Sequence, residues 1–161
     1  MADQSEKPGI SGMNTWDFCT NAAIRRASRR VGQLYDDAIA PSGLRTTQYT
    51  LLAQIRLLGE PTLRQLANAL VMDLSALGHT LKPLERDGYV TLVPDEKDRR
   101  ARRARLTPKG LARLAEATAL WHKAQSRFDA EFGAKKSAAL RRALDLISSD
   151  EFAEKFTAAS Q

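Results

Sequence analysis

The segment VPDEKDRRARRARLTPKG, Val93 to Gly110, most constrains what this chain can fold into. Six lysines or arginines fall between Lys97 and Arg105, with Asp98 as the single acid among them. The run Tyr89–Val93 before it is β-branched and aromatic, and residues 101–106 after it alternate as a returning strand. The pattern predicts a β-hairpin with positive charge at its tip and along one edge. Because like charges repel, this density is useful only beside an anionic, elongated partner.

Two short helices are predicted directly before the hairpin. Thr62 is placed to cap the first helix, and Asp73 is placed to cap the second, which ends at Gly88. The second helix carries an apolar stripe of Leu74, Leu77, Leu81 and Leu84. Two short helices joined by a tight turn form the helix-turn-helix pattern, and the added hairpin makes it a winged helix.

Longer amphipathic helices flank this region on both sides. Apolar residues recur every three or four positions from Thr15 to about Ile39, and again from Pro108 to about Phe156. Between them, Thr46 opens a helix expected to turn Tyr49, Leu52, Ile55 and Leu58 inward. The predicted fold is therefore mainly α with a small β-hairpin wing. We expect a flexible tail over 1–14 and a single domain over 15–161, with the winged helix-turn-helix at 46–107 and flanking helices at 15–40 and 108–158.

Composition limits the function classes. A chain of 161 residues with 43% hydrophobic residues suits one domain with its own core, and a net charge of +6 favours an anionic partner over a merely solubilising basic surface. One cysteine argues against a disulfide framework. Neither a membrane-length apolar run nor a signal-peptide pattern occurs, so a cytoplasmic protein without a membrane partner is expected.

An enzyme is not expected, and neither is a cofactor or a metal. The two histidines, His79 and His122, lie in separate predicted helices, with no catalytic spacing to each other or to the cysteine. No metal-binding HExxH or CxxC pattern, phosphate-binding glycine loop or GxSxG motif occurs.

The wing carries a family resemblance. Asp95, Asp98, Arg100, the pair Leu106-Thr107 and Gly110 resemble the D-x-[RK]-D-x-R…L-T-x-x-G signature of the MarR family of bacterial transcription regulators, with Lys97 where arginine is usual. Upstream, L-x-x-L-A at 63–67 and L-x-x-L-E-x-x-G at 81–88 also resemble the family, as does the helical order from about residue 15 to 156.

The resemblance implies a homodimer whose first and last helices intertwine and serve as dimerisation helices. The alternative is that these helices pack only on their own domain. The resemblance also implies double-stranded DNA as the partner, and a two-fold dimer demands a near-palindromic operator whose half-sites lie about 10 base pairs apart. Repression, relieved by a small aromatic acid or similar anion, is the more frequent mode of action in the family.

The candidate DNA-binding residues lie on two elements. Five positions off the apolar stripe resemble the family's groove-facing residues, although an ordinary surface role stays open for the histidine: Ser75, Ala76, Gly78, His79 and Lys82. Four cations are expected on the wing: Lys97, Arg99, Arg100 and Arg102. Arg100 is the principal expected contact, and Asp98 is expected to orient a neighbouring arginine.

Control of activity has two candidate routes. An effector pocket would use Trp16, Arg25, Tyr35 and Tyr49, for which core or interface packing is the alternative and favoured interpretation. Oxidation of Cys19 is the second route, because one branch of the family senses hydroperoxides through a cysteine in its first helix. Cys19 lies about two residues from the expected position, over half a helical turn, which favours a packing role.

The predicted function is a sequence-specific DNA-binding regulator, a homodimeric repressor released by a small ligand. Two alternatives stay open. One is a redox-sensing regulator that acts through Cys19. The other is a winged-helix architectural or protein-interaction module without operator specificity, which salt-dependent binding to random duplex and to the chain's own promoter region would distinguish.

Overall fold

The computed structural model describes residues 18–158. Their contacts divide them into two compact units, residues 18–34 and residues 35–158. The elements in chain order are α1 Thr20–Ile39, a 3-10 turn Ala40–Ser42, α2 Thr46–Leu58, α3 Leu63–Ala69, α4 Leu74–Arg86, β1 Val90–Pro94, β2 Arg102–Leu106, α5 Pro108–Phe132, α6 Ala134–Ile147 and α7 Asp150–Ala158. The mainly helical class with a small hairpin is confirmed. The tail at 1–14 and the helix start at 15–17 lie outside the described residues, and the single domain over 15–161 stays a prediction.

Side-chain caps explain where α3 and α4 begin. The Thr62 hydroxyl accepts the Gln65 amide at 3.2 Å, and the Gln65 side chain accepts the Thr62 amide at 2.9 Å. Asp73 accepts the Ala76 amide at 2.7 Å at the start of α4. Each cap satisfies amides that have no partner within the first helical turn. The caps predicted at Thr62 and Asp73 are therefore confirmed.

The core of residues 35–158 lies where α2, α3, α4, the hairpin and α5 meet. Its fully buried members include Leu52, Ile55, Leu66, Leu77, Leu81, Leu84, Val90, Ala104 and Ala117. Burying a leucine side chain contributes about 2 kcal/mol. The leucines of α4 at positions 77, 81 and 84 therefore seat that helix firmly, while its opposite face stays exposed.

The expectation that Leu58 points inward is wrong. Its side chain is 42% exposed, whereas Leu51, which was not predicted inward, is buried. Leu58 is the last residue of α2 and lines an open groove beside the polar side chains of Gln65 and Asn68. The core therefore ends before the last turn of α2.

The hairpin pairs β1 with β2 antiparallel, from Val90 opposite Leu106 to Pro94 opposite Arg102. A third short segment joins it at the base, which the sequence did not indicate. The Ala104 amide donates to the Pro61 carbonyl at 2.9 Å, and Thr62 pairs with Arg103 across an isolated bridge. The turn before α3 therefore holds the edge of β2.

The L-T-x-x-G motif at the start of α5 has a steric cause. The Thr107 hydroxyl donates to the Gly88 carbonyl at 2.6 Å and accepts the Gly110 amide at 3.0 Å. A Cβ on Gly110 would lie 2.0 Å from the carbonyl oxygen of Tyr89, so only glycine fits this close approach. The motif thereby fixes α5 against the end of α4.

The C-terminal helices expose much of their apolar surface. Along α6 and α7, Leu140, Leu144, Leu146 and Phe152 stay exposed, with Leu146 at 63%. Within residues 18–158, no helix is both long enough and apolar enough to cross a bilayer.

Candidate nucleic-acid interface

Helix α4 presents a polar face opposite its buried leucines. Ser75, Ala76, His79 and Lys82 are exposed and lie together along one shallow depression, which Asp73 and Thr80 also line. Gly78 is half-buried, and a Cβ there would meet nothing within 4 Å. The structure therefore brings four of the five predicted recognition positions onto one surface. Thr80 was missed, and its hydroxyl donates to the Ala76 carbonyl.

Two aspartates build the tip of the wing. Asp95 accepts the amides of Lys97 and Asp98, both at 2.8 Å, and Asp98 accepts the amide of Arg100 at 3.0 Å. The two amide bonds, and then the Arg103 guanidinium, lower the pKa of the Asp95 carboxyl. This arrangement explains the D-x-K-D-x-R spacing, because each acid closes a tight turn that fixes the backbone of the cationic residues.

The six cations of the wing divide into two groups. Lys97, Arg99 and Arg100 are exposed at the tip, and no side-chain hydrogen bond or ion pair is found for them among residues 18–158. The other three lie on β2 and are bound. Arg102 donates to the Leu92 carbonyl at 2.9 Å.

Acids within the chain hold the remaining two cations. Arg103 binds the Asp95 carboxylate and the Glu60 carbonyl, and Arg105 binds the Glu60 carboxylate. As expected, Asp98 orients a neighbouring arginine, since it accepts the backbone amide of Arg100, while Asp95 is the acid that binds an arginine side chain.

A groove of about 600 Å³ runs between the wing and the starts of α3 and α4. The wing contributes Arg100, Arg102 and Arg103, α4 contributes Leu74, and α3 contributes Arg64. Arg64 was missed by the sequence reasoning. A signal existed, since it stands two residues after the cap Thr62 and off the Leu63 and Leu66 stripe.

The predicted effector residues are not assembled by the described structure. Tyr49 is buried, and its ring stacks on Trp121 at 6.1 Å. The Tyr35 hydroxyl donates to Gln125 at 2.9 Å, and burial, followed by Asp129, raises the pKa of Tyr35. Trp16 lies outside the described residues.

The first unit carries the other two control candidates. Arg25 is exposed on α1, and Cys19 is a partly exposed free thiol just before that helix. The Cys19 sulfur accepts the Ala22 amide at 3.4 Å, and its carbonyl accepts the Ala23 amide at 3.0 Å. These bonds are the contacts of a residue that starts a helix.

A helix-turn-helix with a two-stranded wing directly behind it defines a winged-helix protein. Residues 44–101 match the sequence profile of the MarR family. MosR of M. tuberculosis, solved in complex with DNA, is 35% identical with a TM-score of 0.68, and the match covers 80% of this chain and 97% of that one. The chain belongs to the MarR family.

Two curated relatives agree with this assignment. The transcriptional activatory protein BadR of Rhodopseudomonas palustris is 35% identical over 110 residues, 58% of this chain and 61% of the relative. The multiple antibiotic resistance protein MarR of Salmonella typhimurium is 30% identical over 89 residues, 55% of this chain and 62% of the relative. The aligned parts thus span about three fifths of these curated relatives.

Proposed function

We propose that this chain is a sequence-specific DNA-binding transcriptional regulator. The observation that carries the proposal is the groove bordered at once by α3, α4 and the wing, with Arg64, Arg100 and Arg102 around it. Four arginines line the groove against two aspartates, Asp95 and Asp98, so the charge of its lining is positive, which suits a polyanion. The DNA complex of MosR, which is similar along most of its length, supports the same function.

The proposed docking places α4 in the major groove. Ser75 and His79 hydrogen-bond base edges or phosphates, Ala76 meets a thymine methyl group, and Lys82 binds a phosphate. Gly78 lets the helix backbone approach the DNA closely. At the wing tip, Lys97, Arg99 and Arg100 bind phosphates or enter the minor groove, where negative potential is concentrated. Arg102, on β2, lines the protein's own groove between the wing and the starts of α3 and α4.

We also propose that the protein acts as a homodimer. The exposed apolar side chains of α6 and α7, such as Leu144 and Phe152, support this because a second copy would bury them. A two-fold axis then sets two copies of α4 in successive major grooves. The operator would be near-palindromic, with half-sites about 10 base pairs apart.

The test is salt-dependent binding of the full chain to DNA flanking its own gene and to a shuffled duplex of equal length. A specific regulator should prefer its site by about 10³-fold or more. Equal affinity for both duplexes would favour the architectural or protein-interaction alternative. Binding to neither duplex would overturn the proposal.

For control of activity, we propose repression relieved by a small aromatic anion. Tyr35 supports this in part, because its ring lies 6.3 Å from that of Phe128 and the two rings offer an aromatic surface. The nearby Arg141 is paired with Asp129, so a carboxylate ligand would have to exchange with that acid. Tyr49 and Trp121 offer a second aromatic pair, but in the core.

Reporter expression and DNA release separate the routes of control. Aromatic carboxylates should release the DNA, and peroxide should not; release by peroxide that a Cys19→Ser variant abolishes would establish the redox alternative. A reporter gene placed behind the operator distinguishes repression from activation. Activation is the other possible outcome, because the relative BadR is named a transcriptional activatory protein.

A further inference from the structure

The turn between α2 and α3 contains an unusual backbone. Gly59 and Glu60 both adopt the left-handed conformation, with φ of 66° and 59°. Glycine adopts it freely, but for glutamate the Cβ makes it unfavourable. A glutamate held in this conformation is a local strain that the surrounding contacts have to outweigh.

Glu60 makes such contacts with two arginines of β2. Its carboxylate accepts two hydrogen bonds from Arg105, Nε to Oε1 at 2.7 Å and Nη2 to Oε2 at 2.9 Å. Its backbone carbonyl accepts Nη1 of Arg103 at 2.8 Å. The paired bonds to Arg105 fix direction as well as distance, because the planar guanidinium matches the carboxylate.

Arg103 extends the connection to the tip of the wing. Its Nε binds Asp95, whose side chain is only 6% exposed and whose other oxygen closes the tip turn. The Ala104 amide, bonded to the Pro61 carbonyl, adds a backbone link at the same place. A continuous set of bonds thus joins the turn before α3 to the loop that presents the tip cations.

We propose that Glu60 is a positioning residue for the wing. It holds Arg105 and Arg103 at the base of the hairpin, so that Lys97, Arg99 and Arg100 meet DNA at a set angle to α4. Arg105 then serves the chain's own geometry rather than a phosphate. This inference rests on the proposed function, since the wing must bind DNA for its angle to matter.

The direction in which one substitution changes DNA affinity distinguishes a positioning role from a simple effect of charge. Removing a carboxylate near a polyanion strengthens binding if only charge acts. Removing a positioning carboxylate weakens it. Glu96 provides a matched control, because it is an exposed acid of the tip loop that acts on Arg105 only through its charge, with no hydrogen bond to it.

The experiment measures Kd for the chain's own operator by fluorescence anisotropy over a salt series, with the full chain. Glu60→Gly relaxes the backbone and deletes the carboxylate, and Glu60→Gln keeps the size without the charge. Both should weaken binding by about three- to tenfold, roughly the effect of losing one solvent-exposed ion pair or one ordinary hydrogen bond. Glu96→Gln should bind equally well or more tightly.

The salt dependence of binding distinguishes a positioning role of Arg105 from a direct contact with phosphate. Arg105→Gln should weaken binding without changing the slope of log K against log salt, whereas Arg100→Ala should flatten the slope by about one unit. A flattened slope for Arg105→Gln would identify Arg105 as a phosphate contact and overturn the inference. The reversed pair Glu60→Arg with Arg105→Glu should restore most of the affinity.

Amide exchange without DNA tests the clasp, that is, the contacts of Glu60 with Arg103 and Arg105, independently of DNA binding. In Glu60→Gly the Ala104 amide should exchange faster, while the Leu81 amide in α4 keeps its wild-type rate. Unchanged Ala104 exchange together with unchanged or tighter DNA binding would overturn the inference. Wild-type protein that binds no duplex would instead refute the DNA-binding proposal, and faster Ala104 exchange would then still support the clasp.

Discussion

The winged helix and the C-terminal helices use the same kind of sequence pattern with different outcomes. Leucine or isoleucine recurs every three or four residues in α4 and in α6. In α4, Leu77, Leu81 and Leu84 are buried, whereas in α6, Leu140, Leu144 and Ile147 are exposed. The difference shows that periodicity identifies a face that seeks burial, and that only neighbouring elements decide whether the same chain covers it.

The largest expected effect concerns the buried leucines of α4. Leu77→Ala should lower the free energy of unfolding by about 2–5 kcal/mol, because it leaves a cavity among fully buried neighbours. Leu57→Ala, at a side chain 77% exposed on α2, should change it by less than about 0.5 kcal/mol. Denaturant unfolding measures both, and equal losses would show that burial does not distinguish the two positions.

The next largest effect concerns the exposed apolar residues of α6. Leu144→Glu places a charge in the proposed dimer interface and should raise the dimer dissociation constant by about 100-fold, which converts to about 2.7 kcal/mol. Leu57→Glu is the control, with a similar change on an exposed residue of the winged helix. Sedimentation over a range of protein concentrations measures the constant. A wild-type monomer, or a dimer whose dissociation constant does not change in Leu144→Glu, would contradict the interpretation that a second copy of the chain covers α6.

A smaller effect is expected at the wing tip. Arg100→Ala should weaken DNA binding by about tenfold and leave the dimer intact, because the Arg100 side chain contributes charge to the tip without holding the fold. Anisotropy with sedimentation on the same samples checks both statements. Unchanged affinity would mean that the principal contact lies elsewhere on the wing.

The smallest effect concerns pH at the base of the wing. Asp95 has a lowered pKa in the folded chain, so its contribution to stability is present above the ordinary carboxyl pKa of about 3.9 and is lost as pH falls through the lower folded value. Amide exchange of Ala104 should therefore accelerate on acidification below about pH 4, relative to that of Leu81. In Asp95→Asn this acid-dependent difference should shrink, and an undiminished difference would assign the effect to another group.

Local signals predicted most of the winged helix. Thr62, Asp73 and Thr107 each cap the helix that follows, because a side-chain oxygen three residues before an amide needs no tertiary help. The hairpin was also predictable, although its strand begins at Val90 rather than Tyr89. By contrast, Leu58 was misplaced, since its exposure depends on what lies beside the end of α2.

The candidate site was predictable in part, for the same reason. Positions off the α4 stripe follow from helical geometry, so the exposure of Ser75, Ala76, His79 and Lys82 on one surface was predictable. Arg64 was missed because the groove that it borders forms only when α3, α4 and the wing come together. The effector candidates Tyr35 and Tyr49 came from the family resemblance, and their described contacts are packing contacts, the interpretation already favoured for them.

Local signals in the sequence were enough to place the helix starts and to predict that a charged hairpin follows two short helices. These follow from bonds and steric contacts within short stretches, or from periodicity along one element. Which wing cations are available depends instead on contacts between distant parts of the chain. Arg100 and Arg105 are the same residue type five positions apart, yet Arg105 meets Glu60 from 45 residues away, and no local pattern encodes that meeting.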